Sequence, residues 1–367
     1  MSDFRIRIDR ASSRTLTDQV VRGIRSAILE GSLPVGSVLP SREKIASDCG
    51  VSVNVIREAL SCLVTEGLVR ARPHIGCEVL RRNKRKMTGH ILRILGENDG
   101  SYIWSVVTSV LQRELSAVGL RCPQVAVTTG ANGRPDYTWL EEALDDRPDM
   151  AIVFACKMTV SGIVRILERY GVPYVLVLFV QSDIQRKGRN CLKSILFDGH
   201  EAVNAFVEDC KCRRVLSVCQ FGFGKDSLFD AIPQLRAAGI ATEEIAVPLK
   251  SVLGDLEAIQ RLAAETMSKR LARGPLSELL FFTDDYLALG AIPVLLERGV
   301  KIPQDVKVVS LANRGFGPVF PKRLTRIETD CPGDAVRIAR AIVGWTRTGE
   351  VSGIDSISPR YLRGETF

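Results

Sequence analysis

Ser52, Asn54 and Arg57 are the residues whose types and spacing point most directly to a chemistry, the recognition of nucleic acid. On a helix that starts after Ser52, positions 54 and 57 share one face, away from the apolar positions Ile56, Leu60, Leu63 and Val64. Asparagine can hydrogen-bond adenine through two atoms, and arginine can read guanine or hold a phosphate. Ser52, as the helix cap, adds backbone donors suited to a phosphate. A solvated helix face would display the same residues, and charge separates the two readings. Residues 1–86 hold 16 Lys/Arg and 9 Asp/Glu, so this first quarter carries nearly all of the chain's net charge of +8. A polyanionic partner for that quarter follows, while the remainder is close to neutral. Arg81-Arg82-Asn83-Lys84-Arg85-Lys86 then places five cations in six residues, either lying along phosphates or forming a solvated hinge.

Other chemistries fit less well. The ten cysteines are scattered without a C-x-x-C, and only three histidines accompany them, so reduced thiols are expected rather than a metal or redox site. Gly222-Phe223-Gly224-Lys225-Asp226 suggests a phosphate loop, but Cys219 and Asp226 stand where Gly and Ser or Thr are required. His200 and Asp198 have no nucleophile near them in sequence, and no hydrolase motif is present. No enzyme activity and no cofactor are expected. The chain lacks an apolar run of about 18 residues, and its first residues lack a signal-peptide core, which implies a cytoplasmic protein without a membrane partner.

The elements that would position these residues fall into two parts. Val20, Ile24, Ala27 and Ile28 mark one helix face after a cap at Thr17; Gly31 and Pro34 stop it. Ser41 caps a second helix, 42–49, ended by Gly50, and Ser52 caps a third, 53–66. Two short helices joined through glycine make a helix-turn-helix, and residues 68–72 and 77–80 around the tip 73–76 make the strands of a wing. From Ile91 onward, apolar runs alternate with helical segments. Strands are expected at 91–95, 124–128, 150–155, 173–178, 194–197, 214–219, 245–248, 279–283, 306–311 and 325–328. Helices are expected at 102–118, 160–170, 200–209, 227–238, 255–271 and 286–298. Alternation of this kind gives an α/β architecture of parallel sheets covered on both faces, and ten strands suit two sheets. A ligand would sit beyond the strand C-terminal ends, between two lobes.

Two family resemblances rest on particular residues. Leu39-Pro40-Ser41-Arg42-Glu43-Lys44-Ile45-Ala46, Gly50-Val51-Ser52, Ile56-Arg57-Glu58-Ala59-Leu60, Glu66-Gly67-Leu68-Val69 and Gly76 make residues 16–80 resemble the winged-helix domain of the GntR family of bacterial regulators. The resemblance implies that Arg42 or Lys44, Ser52, Asn54 and Arg57 approach the major groove of an operator duplex and that His74 and Gly76 lie near the minor groove. Ser41 and Arg72 complete this set. Val53 stands where the family usually has arginine and could touch a thymine methyl; the charge order of Arg42-Glu43-Lys44 is also shifted.

Thr283-Asp284-Asp285-Tyr286-Leu287-Ala288-Leu289-Gly290-Ala291 is similar to a segment of LacI-type regulators, as are residues 299–310, 147–153, 170–175 and 324–327. This second resemblance covers residues 88–367 and implies a doubly wound, two-lobed fold of the periplasmic-binding-protein kind, commonly dimeric, with sugars, nucleobases or their phosphates as effectors. It implies a ligand role for Asp285, which could alternatively cap the helix from Tyr286, and for Trp104, which could alternatively be core. The expected cleft arginine is Ser227, with Lys225 as its substitute, and an expected aspartate is Ala312, with Asn313 beside it. The domains expected are a DNA-binding domain 1–80, a basic linker 81–87 and a sensor 88–367. Lobe 1 would take about 88–198 and 312–328, and lobe 2 about 199–311 and 329–367. The function expected is a dimeric, sugar-responsive transcription repressor; the alternative is a DNA-binding protein whose second part serves only as a dimerisation scaffold.

Overall fold

Side-chain caps fix where the first three helices begin. The computed structural model describes residues 6–12, 14–73, 75–80, 87–95, 102–130, 133–155, 160–178, 187–220, 231–248, 255–316 and 320–367. The chain divides into two compact units, residues 1–88 with 165–173 and residues 89–164 with 174–367. In the first unit, α1 (Leu16–Glu30) is capped by Thr15, whose side chain accepts from the Asp18 amide, and not by Thr17. Thr17 falls in the first turn, where its hydroxyl donates to Glu58 at 3.1 Å. Ser41 caps α2 (Arg42–Cys49), which ends at Gly50 with a left-handed φ of 63°. Ser52 caps α3 (Val53–Thr65). The wing follows as β1 (Val69–Arg72) and β2 (Gly76–Val79), paired antiparallel with Arg72 opposite Gly76. Val20, Ile24, Ile45, Ile56, Leu60, Leu63, Val69 and Val79 share one core. Val64, expected in that core, is exposed, because one step along a helix turns a side chain about 100° from its neighbour Leu63.

The second unit opens with β3 (Ile91–Leu95), α4 (Tyr102–Ser116), β4 (Gln124–Ala126) and a small ribbon of β5 (Thr128–Thr129) and β6 (Pro135–Asp136). Next come α5 (Thr138–Asp145), β7 (Met150–Ala155), α6 (Val160–Tyr170), β8 (Tyr174–Leu178) and β9 (Cys191–Phe197). The chain continues through α7 (His200–Asp209), β10 (Arg214–Gln220), α8 (Ile232–Ala237), β11 (Ala241–Val247), α9 (Leu256–Leu271), β12 (Leu279–Phe282), α10 (Asp285–Glu297) and β13 (Lys307–Asn313). It closes with β14 (Thr325–Thr329), α11 (Cys331–Thr348), β15 (Ser356–Ile357) and β16 (Arg360–Leu362).

Two six-stranded sheets result, in the orders β15-β9-β8-β7-β3-β4 and β11-β10-β12-β13-β14-β16. Neighbouring strands run parallel throughout, except that β16 is antiparallel to β14. Central strands such as β3, β8 and β12 are buried at every position, as a sheet covered on both faces requires. β11 is an edge strand whose exposed Glu243 and Glu244 explain why only its apolar end, 245–248, reads as a strand in the sequence.

The expected division into lobes needs correction at its C-terminal end. β14 belongs to the second sheet, not the first, because Val309–Asn313 pair with Thr325–Thr329 in parallel register. Residues 331–357 return to the first lobe: Ala335, Ile338, Ala339 and Ile342 of α11 share a core with Ile91, Leu95 and Leu111, and β15 pairs with β9. Thr329 and the terminal segment from β16 onward lie in the second lobe, as assigned. The chain thus passes between the lobes three times, after β9, after β14 and after β15.

This assignment carries a test. Ile338→Ala, at a buried site, should cost about 2–5 kcal/mol. Native-state hydrogen exchange should then show the loss of protection in β3 and β7 as well as α11. Faster exchange confined to β13 and β14 would place α11 on the other sheet.

Candidate functional site

Two sets of side chains, one in each unit, are candidates for recognition. In the first, every expected DNA-contacting residue that the structure describes is exposed: Ser41, Arg42, Lys44, Ser52, Val53, Asn54, Arg57, Arg72 and Gly76. His74 lies outside the described residues. Caps hold the set in place. The Ser52 hydroxyl accepts from the Val55 amide at 3.3 Å, and the Ser41 hydroxyl accepts from the Lys44 amide at 3.2 Å. Capping by a side chain at the start of α3 leaves Val53, Asn54 and Arg57 on its open first turns.

Charges on this surface differ in how they are held. The Lys44 ammonium lies 2.9 Å from Asp48, and the Arg72 guanidinium lies 2.5 Å from Glu78 across the wing. Such surface pairs are worth little, so a phosphate can displace either acid. Among the described residues, Arg42 and Arg57 have no ion-pair partner. Glu43 stays ionised between them in sequence, its carboxyl held below the usual range by its own backbone amide and by Ser41. Gly76 takes φ 112° at the wing, a value closed to other residues.

Sequence reasoning missed two residues here. Arg10 donates to the Gly50 carbonyl at 2.8 Å and braces the turn between α2 and α3; a contact across forty positions leaves no local signal. Ile75, at the wing tip, is 57% exposed, an apolar side chain beside the expected Gly76.

The second set gathers at the C-terminal ends of β12 and β13, where an α/β sheet places its ligands. Asp284 caps α10, accepting from the Tyr286 amide at 2.7 Å. The capping role considered for Asp285 therefore belongs to its neighbour. Asp285 itself is 1% exposed. Its Oδ2 accepts from the Asn313 backbone amide at 2.9 Å and from Asn313 Nδ2 at 3.0 Å. Its Oδ1 is buried and has no hydrogen-bond partner among the described residues. Burial pushes the Asp285 carboxyl above the usual carboxylate range, against the pull of the two Asn313 donors and of the Asp285 and Tyr286 amides. The chain of contacts continues: the Cys331 thiol donates to Asn313 Oδ1 at 3.2 Å. Asn313 ends a strand of the second sheet while Cys331 belongs to the core of the first lobe, so this bond spans a crossing between lobes. Arg314 and Asp330 span it too, at 2.8 Å.

The other expected ligand residues fall elsewhere. Trp104 is 5% exposed and meets Phe154 edge-to-face at 5.5 Å in the first lobe's core, so of its two readings the structure gives the core. Ala312 is buried in β13. Lys225 and Ser227 lie outside the described residues. Cys331 and Asp334 were not foreseen, although Asp330-Cys331-Pro332 is a legible helix start, with a capping acid and an early proline. Burial raises Asp334 to about 6, against the opposing effect of Arg337.

Comparison with known proteins finds a family match within each unit. Residues 16–79 match the model of the gntR family of bacterial regulatory proteins, and residues 228–366 match the periplasmic binding protein-like domain. An HTH-type transcriptional regulator, Mce2R of Mycobacterium tuberculosis, is 34% identical over 135 residues, 36% of this chain and 52% of that protein. The chain thus spans about half the length of that relative. The arabinose metabolism transcriptional repressor of Halalkalibacterium halodurans is 24% identical over 345 residues, covering 84% of this chain and 83% of that one. Among solved structures, a sugar-binding transcriptional regulator of the LacI family from Enterococcus faecalis superposes with a TM-score of 0.58 at 19% identity, over 77% of this chain and 99% of its own. No helix among the described residues is long and apolar enough to cross a membrane.

Asp285 makes stability depend on pH with a definite sign. Because its folded pKa is raised, its stabilising contribution is complete below the unfolded value of about 4 and is lost as pH rises through the folded value. Asp285→Asn keeps an acceptor for Asn313 without the charge. The variant should melt above the parent near neutral pH, with the difference closing below about pH 4. An equal or lower melting temperature at neutral pH would show that burial does not penalise this carboxylate.

Proposed function

We propose that this chain, which joins a GntR-type helix-turn-helix domain to a periplasmic-binding-protein-like domain, is a transcription repressor that binds operator DNA as a homodimer under the control of a small polar effector, a sugar. It acts in the cytoplasm, where its operator is. One observation carries the reading: α3 exposes Val53, Asn54 and Arg57 behind a capped first turn, on a basic domain of matching family. Asn54 and Arg57 read base edges, Val53 packs on a thymine methyl, and Ser41, Arg42, Lys44 and Ser52 hold phosphates. Arg72 and Gly76, with His74, follow the minor groove. Two copies on half-sites about 34 Å apart would match one turn of duplex.

For the effector, the buried, unpartnered Oδ1 of Asp285 is the acceptor a sugar hydroxyl would satisfy, with Asn313 beside it and Lys225 as a further contact. The names of the arabinose repressor and the sugar-binding LacI-family regulator support a carbohydrate. Effector binding would shift operator affinity by a coupling of about 1–3 kcal/mol. A second reading, a dimerisation scaffold without ligand, is favoured by the burial of Trp104 in the core.

Two measurements test these roles. Duplexes selected from random sequence by the parent chain should bind Arg57→Ala at least about tenfold more weakly, while the variant melts like the parent; unchanged affinity would remove α3 as the reading helix. A thermal-shift screen against pentoses, hexoses, disaccharides and their phosphates should yield a stabilising ligand that Asp285→Ala abolishes. A flat screen would leave the scaffold reading in place.

A further inference from the structure

The wing sheet has an inward and an outward face. Val69, Cys77 and Val79 turn inward to the core of the first unit. Alternate residues turn outward, so Arg70 and Arg72 of β1 share the outer face with their cross-strand neighbours Glu78 and Gly76. Residues 36–39 lie along the far side of β2: the Val79 amide donates to the Ser37 carbonyl and the Leu39 amide to the Cys77 carbonyl, each at 2.8 Å. Val38 bridges there to Glu78, which brings it onto the same outer face. Glu78, the acid on this face, is engaged by Arg72.

At the tip, the Ile75 amide donates to the Arg72 carbonyl at 3.2 Å and closes a tight turn. Ile75 and Val38 are both exposed. A Cβ on Gly76 would lie 3.3 Å from Val38 Cγ1, so Val38 fills the space beside a residue that has no side chain of its own. An apolar ridge results, with Val38 at its base, Ile75 at its crown, and the exposed Arg70 and Arg72 alongside. A single exposed isoleucine means little on most surfaces. This one stands at the outermost turn of a basic domain, beside two arginines. Charge complementarity points to the occupant: a duplex minor groove offers sugars and base edges to an apolar tip and phosphates to the flanking cations.

We infer that Ile75 is a wedge that enters the minor groove and parts one base step, bending the operator towards its major groove. A β-branched side chain suits this use, since its χ1 is stiff and little rotamer freedom is lost on insertion. Gly76 lets the strand backbone follow the wedge into a groove about 6 Å wide. Unstacking costs least at TA and CA/TG steps. The wing therefore reads how easily the duplex deforms, at base pairs that α3 does not touch. The wedge presupposes the operator binding proposed above.

Duplexes selected from random sequence by the full parent chain provide the test. They should share a TA or CA/TG step flanking the sequence read by α3, and replacing that step with AA should weaken binding about tenfold. 2-Aminopurine placed at the step should brighten on binding as it unstacks. Ile75→Ala should lose both effects and bind the two duplexes alike. Its slope of log affinity against log salt should stay that of the parent, because no phosphate contact is removed. Val35→Ala, an exposed apolar truncation outside the ridge, should match the parent in each assay. Unchanged 2-aminopurine fluorescence in the parent complex, discrimination by Ile75→Ala equal to the parent's, or an equal loss in Val35→Ala would overturn the wedge and leave operator binding standing. Selection of no duplex by the parent would remove the operator reading and the wedge with it. If Ile75→Ala instead lost self-association without DNA, at unchanged duplex affinity, the tip would belong to a second copy and the wedge would fail.

Discussion

Neither sheet of the second unit is complete until residues 325–367 are in place, and most of its architecture depends on that constraint. β14 extends the second sheet through its parallel register with β13. α11 then covers the first sheet with Ile338 and Ile342, β15 extends that sheet beyond β9, and β16 returns to β14. Each lobe's apolar core is thus closed by a segment distant in sequence. The three crossings this requires are the places where the lobes can move against one another, since the sheets themselves are packed on both faces. At the second crossing, Asn313–Cys331 and Arg314–Asp330 tie the two sides together, next to the carboxylate proposed to meet the effector.

The two recognition surfaces use opposite electrostatic means. On the face proposed to meet DNA, cations stand in water, where each is weak alone and many act together on a polyanion. At Asp285 an acid is buried with one of its oxygens held by Asn313. Leaving a buried acceptor unpaired costs about 1–3 kcal/mol. A hydroxyl that reached Oδ1 would recover that cost, so the proposed site would favour donors over apolar groups of the same size.

Features with local causes were legible in the sequence. Ser41, Ser52 and Gly50 mark helix ends by their own hydrogen bonds and φ values, and all three stand where the pattern put them. Continuous apolar runs such as Tyr174–Leu178 identify buried strands for the same reason. Legibility failed where two adjacent or nearby residues offer the same chemistry. Thr15 and Thr17 can both cap, as can Asp284 and Asp285, and the backbone chooses between them. It failed again where partners are far apart: nothing within residues 325–329 says which sheet they join, and nothing in Arg10 says that it reaches Gly50. Trp104 shows the limit for aromatic residues, whose type suits a ligand face and a core equally.

The interleaving of the lobes has a consequence for synthesis. A nascent chain emerges N-terminus first, so the winged helix, whose core lies within residues 6–79, can fold as soon as it clears the ribosome. The first lobe cannot follow at once. After Phe197 emerges it must wait for α11 and β15, roughly 10–30 s at ordinary elongation rates. During that interval a folded helix-turn-helix unit precedes a first lobe with one face of its sheet uncovered, so the proposed reading head is complete before the proposed effector site exists.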